Sequence, residues 1–83
     1  MRIVYFAWVR ERIGMNDEDV ELPASVVTVA DLLTFLAKRS GGHAAALEHA
    51  KVIRVAINHE HAEHSELIAG AREIALFPPM TGG

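Results

Sequence analysis

Eight residues near the start of the chain, Arg2 to Val9 (RIVYFAWV), are apolar at almost every position and rich in β-branched and aromatic side chains. Such a run has no polar face to offer water, so it predicts a strand over 2–9 that is covered on both faces and central in a sheet. The cover must come from the same short chain. There are no cysteines, which excludes disulfides, thiol catalysis, persulfide carriage on a side chain and thiolate-bound metal. Eighty-three residues make one small domain held together by packing alone, with no room for a deep substrate cavity.

The best candidate for the cover is an amphipathic helix. Thr28 is a natural N-cap, Asp31 completes a capping box three residues later, and Val29, Leu32, Leu33 and Leu36 recur at helical spacing. Asp31, Thr34 and Lys38 face the other way. Lys38-Arg39 in the last turn and Gly41-Gly42 after it read as the C-terminal end. Around this helix the pattern predicts a turn at 10–17, a short strand at 19–22 stopped by Pro23, and a second short helix over 44–50. It also predicts a strand at 52–57, a weak polar edge strand within 58–65, a turn at Gly70 and a last strand at 73–77 ended by Pro78-Pro79. The order ββαβββ requires the helices to pack on one face of a mixed sheet. The expected class is α+β: a β-grasp of four to five strands with one main and one short helix on one face. First and last strands would lie side by side and parallel, and the domain would span 1–77 with an extended tail over 78–83.

Eight basic against eleven acidic residues give a net charge of −3, and no Lys/Arg cluster provides a nucleic-acid footprint. No apolar stretch is long enough to span a membrane, and the N-terminus lacks the basic start and apolar core of a signal peptide. A cytoplasmic, water-soluble domain is expected. Candidate chemistry elsewhere is thin. His59 and His61, spaced as His-x-His, would share a face of a strand, with His64 nearby. Without a second ligand cluster, a solvated edge is the plainer reading and no metal is expected. Glu60, Glu63 and Glu66 lack a pocket that would raise a carboxyl pKa. His43 and His49 flank the short helix and are expected on the surface. Tyr5, Phe6 and Trp8 read as core or sheet-face residues.

The end of the chain, Phe77-Pro78-Pro79-Met80-Thr81-Gly82-Gly83, is more informative. A strand runs into two prolines, which stop pairing and favour a stiff extended exit. The six residues from Pro78 reach at most ~20 Å. Two glycines bring bare backbone and an ionised carboxylate to the tip, a group able to attack the α-phosphate of a nucleotide in another enzyme's site. Thr81 and Gly82 would thread a narrow channel. Phe77, Pro78, Pro79 and Met80 would form a docking surface, with Phe77 alternatively a core residue.

That ending resembles the FPP-x-(S/T)-GG terminus of molybdopterin synthase small subunits, a family of ubiquitin-like sulfur carriers. Tyr5 to Gly14 (YFAWVRERIG) is similar to the family's F-A-x-x-R-E-x-x-G opening, and Thr28 to Leu33 to its helix start. Two places depart from the pattern: Ala69-Gly70-Ala71 lacks the usual acidic residues, and Asn58 to His61 is unusually polar. The resemblance implies that an E1-like enzyme uses ATP to adenylate the Gly83 carboxylate, which a persulfide source then converts to a thiocarboxylate. The sulfur would pass to cyclic pyranopterin monophosphate in the large subunit of a heterotetrameric synthase. This chain would bind no cofactor of its own, and Gly83 would be its reacting residue. Alternatives are a carrier for thiazole, cysteine or tRNA thiolation, or a ubiquitin-like protein modifier. The Phe77-Pro78-Pro79 exit argues against the thiamine branch.

Overall fold

The structure, a computed structural model, describes residues 1–79; the expectations for Met80, Thr81, Gly82 and Gly83 lie outside the described residues. Five strands form one mixed sheet: β1 (Arg2–Tyr5), β2 (Asp17–Asp19), β3 (Arg54–Ile57), β4 (Glu60–Ala62) and β5 (Glu73–Phe77), in the order β2-β1-β5-β3-β4. β1 and β5 are central and parallel, pairing Ile3 with Ile74 and Tyr5 with Leu76, while every other pair is antiparallel. This is the expected β-grasp. Three α-helices, α1 (Ala7–Ile13), α2 (Val29–Ala37) and α3 (Gly41–Ala46), and a 3-10 turn at Ala50–Val52 complete it. The core joins Ile3, Tyr5, Val55, Ile74 and Leu76 of the sheet to Val9, Val29, Leu32, Leu33 and Leu36 of the helices, all essentially buried.

α2 follows its sequence pattern. The Thr28 hydroxyl accepts from the Asp31 amide, and the Asp31 carboxylate accepts from the amides of Thr28 and Val27. Those two backbone donors hold the Asp31 carboxyl below its ordinary range.

Three expectations need correction. The N-terminal strand stops at Tyr5, four residues short, and Ala7–Ile13 is helical. The cause lies on the neighbouring strand: past Leu76, β5 has only Phe77 before Pro78-Pro79, which cannot donate to a ladder, so β1 has nothing left to pair with. The chain then turns through Ala7, whose φ of 52° is left-handed, and the i, i+4 pair Val9 and Ile13 buries one face of α1. Gly14, at φ 91°, closes α1 by donating to the Arg10 carbonyl.

Second, Gly41-Gly42 open a helix where a C-cap was expected. α2 ends at Ala37, so Lys38 and Arg39 lie beyond its last turn, and Ser40 caps α3 by accepting from the His43 amide at 3.2 Å. Glycine is required at 42 by packing. A Cβ there would sit 2.7 Å from the Arg12 carbonyl oxygen, so Gly42 is what lets α3 lie against α1.

Third, the second strand is Asp17–Asp19, earlier than expected; Val20 continues its pairing by exchanging backbone hydrogen bonds with Met1 at 2.8 and 3.1 Å, while its side chain is buried in the core. The edge strand β4 and the final strand β5 fall where the pattern put them.

Candidate functional site

The two faces of the sheet differ. Ile3, Tyr5, Val55, Ile74 and Leu76 point into the core, so the alternate positions point away from the helices. Val4, Ala75 and Ala56 stand in one cross-strand row, continued by Asp17 on β2 and His61 on β4. Phe77 pairs with Arg54 in the next row, and Arg2 with Asp19 and Glu73 in the row on the other side. Phe77 is half-buried and does not pack on the core cluster. Phe6, 45% exposed, follows β1 at the same end of the sheet. A small apolar strip therefore crosses the open face. It is flanked by acidic groups around β2 and by Arg54 and His61 toward β4, and Phe77 leads it into Pro78-Pro79.

Beside this strip, a cleft of ≈ 420 Å³ lies along residues 51–55 and 61–64, lined by Lys51, Arg54, His61, Glu63, His64 and Pro79 among others. The root of the tail thus sits between an apolar strip and a basic cleft. The histidine stretch is laid out differently from the strand imagined for it. Asn58 and His59, at φ 48° and 72°, form the two-residue turn between β3 and β4, so His59 and His61 are not neighbours on one strand face. The Asn58 side-chain oxygen accepts from the amides of Arg72 and Glu73, which ties the hairpin to the start of β5 and explains its polar sequence. His64 Nε2 donates to the Ile53 carbonyl at 2.8 Å. Among the described residues no group of three His, Asp or Glu side chains is placed to hold a metal ion.

A buried polar network lies on the helix side. His43, expected on the surface, is 3% exposed. Its Nε2 lies 2.6 Å from Glu18 Oε2 and its Nδ1 2.7 Å from the Ser40 hydroxyl. The Tyr5 hydroxyl donates to the same Glu18 oxygen at 2.6 Å, and Arg39 reaches the other at 3.1 Å. An ionised carboxylate only accepts, so His43 donates from Nε2. Burial alone would push the Glu18 carboxyl up, but the hydrogen bonds from Tyr5 and His43 and the Arg39 charge bring it below its ordinary range. Burial, with the Glu18 hydrogen bond and charge, raises the Tyr5 hydroxyl well above its ordinary value. The network joins β1, the β2 hairpin and the α2–α3 junction. The sequence signal for it was Ser40-x-x-His43 at helix-cap spacing.

A mixed sheet with parallel central strands, helices on one face and a last strand that delivers the C-terminal segment defines the ubiquitin-like β-grasp class. The ThiS family matches residues 3–83, and the chain belongs to that family. It is 34% identical to the molybdopterin synthase sulfur carrier subunit of Escherichia coli (strain K12), over 100% of this chain and 99% of that protein. It is also 34% identical to the subunit of the same name from Mycosarcoma maydis, over 100% of this chain and 92% of that one. Among solved structures, small archaeal modifier protein 1 of Haloferax volcanii is 33% identical, with a TM-score of 0.71 and 95% of each chain covered.

Proposed function

We propose that this chain is the sulfur-carrying small subunit of a molybdopterin synthase and that Gly83 is its reacting residue. The end-to-end similarity to sulfur carrier subunits carries this reading. The Phe77-to-Gly83 ending and a sheet whose central strand runs into Pro78-Pro79 support it. The Gly83 carboxylate attacks the α-phosphate of ATP in an E1-like enzyme and releases pyrophosphate. The outer sulfur of a persulfide then attacks the acyl carbon and AMP leaves; a thiol cleaves the resulting acyl disulfide, which frees the thiocarboxylate and leaves the thiol oxidised in a disulfide. The large subunit uses the resulting thiocarboxylate to sulfurate cyclic pyranopterin monophosphate. The pterin chemistry belongs to the large subunit. This chain contributes the sulfur, a tail of Thr81 and Gly82 that fits a narrow channel, and a docking surface of Phe77, Pro78, Pro79 and Met80.

Pyrophosphate exchange with the cognate activating enzyme tests the reading. Adding one residue after Gly83 moves the reactive carbon by ~3.5 Å, while a misplacement of ~1 Å already costs about 10²-fold. The extended chain is expected to be inert, and exchange at the native rate would overturn the terminal-carboxylate mechanism. The likeness to an archaeal modifier protein sustains one second reading, a protein tag. Isopeptide adducts of Gly83 on lysines in cell extracts would favour it.

A further inference from the structure

The basic cleft runs against the charge of the molecule. The chain carries −3, yet Lys51, Arg54, His61 and His64 all line one furrow in which Glu63 is the one carboxylate among the lining residues. Glu63 is 77% exposed and sits 3.5 Å from His61, so it neutralises little of the rest. Arg2, Arg39, His43 and His61 account for the ion pairs among the described residues, and Lys51 and Arg54 take part in none of them. Both are exposed. The furrow is also built rather than incidental: His64 is half-buried and anchored to the Ile53 carbonyl, and Pro79 closes one wall. Its place matters most. Arg54 pairs across the sheet with Phe77, the last residue before the prolines, so a molecule that engages the root of the tail meets the furrow as well.

We propose that this cleft is a recognition site for carboxylates of the protein that docks on the open sheet face, with Arg54 and Lys51 as its principal donors. The proposal rests on the function proposed above for the identity of that protein, and it adds the chemistry by which the protein is recognised. The polar lining groups come from two separate segments, Lys51 and Arg54 from 51–54 and the imidazoles of His61 and His64 from 61–64, strung along a furrow. A peptide segment with several acidic side chains matches that arrangement better than one small anion does. The Arg54 fork can take a carboxylate through two parallel hydrogen bonds. Apolar contacts at Val4, Ala75 and Phe77 would supply the bulk of the binding, and the cleft would set orientation and encounter rate.

Two measurements test this. In the first, backbone amide shifts of the full chain are followed during titration with hexaglutamate, with inorganic phosphate and hexalysine at matched ionic strength as comparison arms. Shifts confined to 51–55 and 61–64 with hexaglutamate alone, weakened by added salt, are expected. Equal saturation by phosphate, or shifts scattered over the surface, would overturn the proposal. In the second, affinity for the large subunit is measured for the native chain, for Lys51→Gln/Arg54→Gln and for Lys51→Glu/Arg54→Glu. The expected loss is about tenfold or more for the reversed pair and less for the neutral pair, with unchanged thermal midpoints. Native binding that neither pair weakens would sink the cleft and leave the sulfur-carrier reading standing. A native chain that fails to bind the large subunit, yet shows the hexaglutamate shifts, would sink the sulfur-carrier reading and leave the cleft.

Discussion

Adjacent glycines can do opposite jobs. A Cβ on Gly41 meets nothing within 4 Å, whereas on Gly42 it meets the Arg12 carbonyl at 2.7 Å. Gly41→Ala is expected to be neutral or to stabilise by about 0.4–1 kcal/mol, through the unfolded state. Gly42→Ala must push α3 off α1 and is expected to cost about 1–3 kcal/mol. Urea denaturation of the two variants checks the contrast, and equal effects would contradict the close approach of the helices. Ala7 offers a converse test at φ 52°, where an L-residue is strained by about 1–2 kcal/mol. Ala7→Gly should recover part of that, read as a higher urea midpoint. Gly42 could not have been understood from its neighbours in sequence, because its reason is a carbonyl on another helix. The run GG after a helical stretch reads locally as a stop. The signal that outweighs it is Ser40, an N-cap residue immediately before the pair.

At the scale of elements, α2 and β5 were readable because their information is local: a capping box with a clean apolar stripe, and an alternating pentapeptide ended by two prolines. α1 was hidden because its seven residues continue an apolar strand, and what ends that strand is Pro78 on the neighbouring one. The Glu18 network was hidden for the same reason, since its members come from positions 5, 18, 39, 40 and 43. It makes a pH prediction. Glu18 is held below the ordinary carboxylate range, so its contribution is complete above about pH 4.3 and is lost as pH falls through its folded value. Tyr5 is raised, so its contribution is complete below about pH 10 and is lost as pH climbs from there toward its folded value. The thermal midpoint should fall on both sides. Tyr5→Phe should flatten the alkaline limb and, by removing a donor from Glu18, soften the acid one. Glu18→Ala leaves the Tyr5 hydroxyl and His43 without their acceptor and is expected to cost about 2–4 kcal/mol at neutral pH. A pH-independent midpoint, or a silent Glu18→Ala, would contradict the network.

In the whole molecule, the packed core and the proposed reacting end occupy different parts of the chain. The core ends at Leu76, and the apolar strip of the open face ends at Phe77. Removing Gly82-Gly83 is therefore expected to shift the thermal midpoint by no more than about 2–4 °C while sulfur transfer to the pterin precursor stops, since two residues without side chains have almost no apolar area to bury and a change of ~0.5 kcal/mol corresponds to that shift. Met80→Asp is expected to weaken binding to the large subunit without unfolding the domain, as measured by calorimetry with parallel melting. The β-grasp could be inferred from element order, because one amphipathic helix and a cysteine-free chain leave few ways to cover a central strand. The open face and its basic cleft could not, because strand order and register decide which residues share them.

The claim on which the rest depends is that Gly83 carries sulfur. Its most direct test is the intact mass of the protein isolated from cells that keep the activating enzyme and the sulfur source but lack the large subunit, so that the loaded carrier accumulates. The expected result is a species heavier than the unmodified chain by the difference between sulfur and oxygen, with the change mapped to Gly83 by fragmentation. Only the unmodified carboxylate, or Gly83 found solely in isopeptide linkage to lysines, would contradict it.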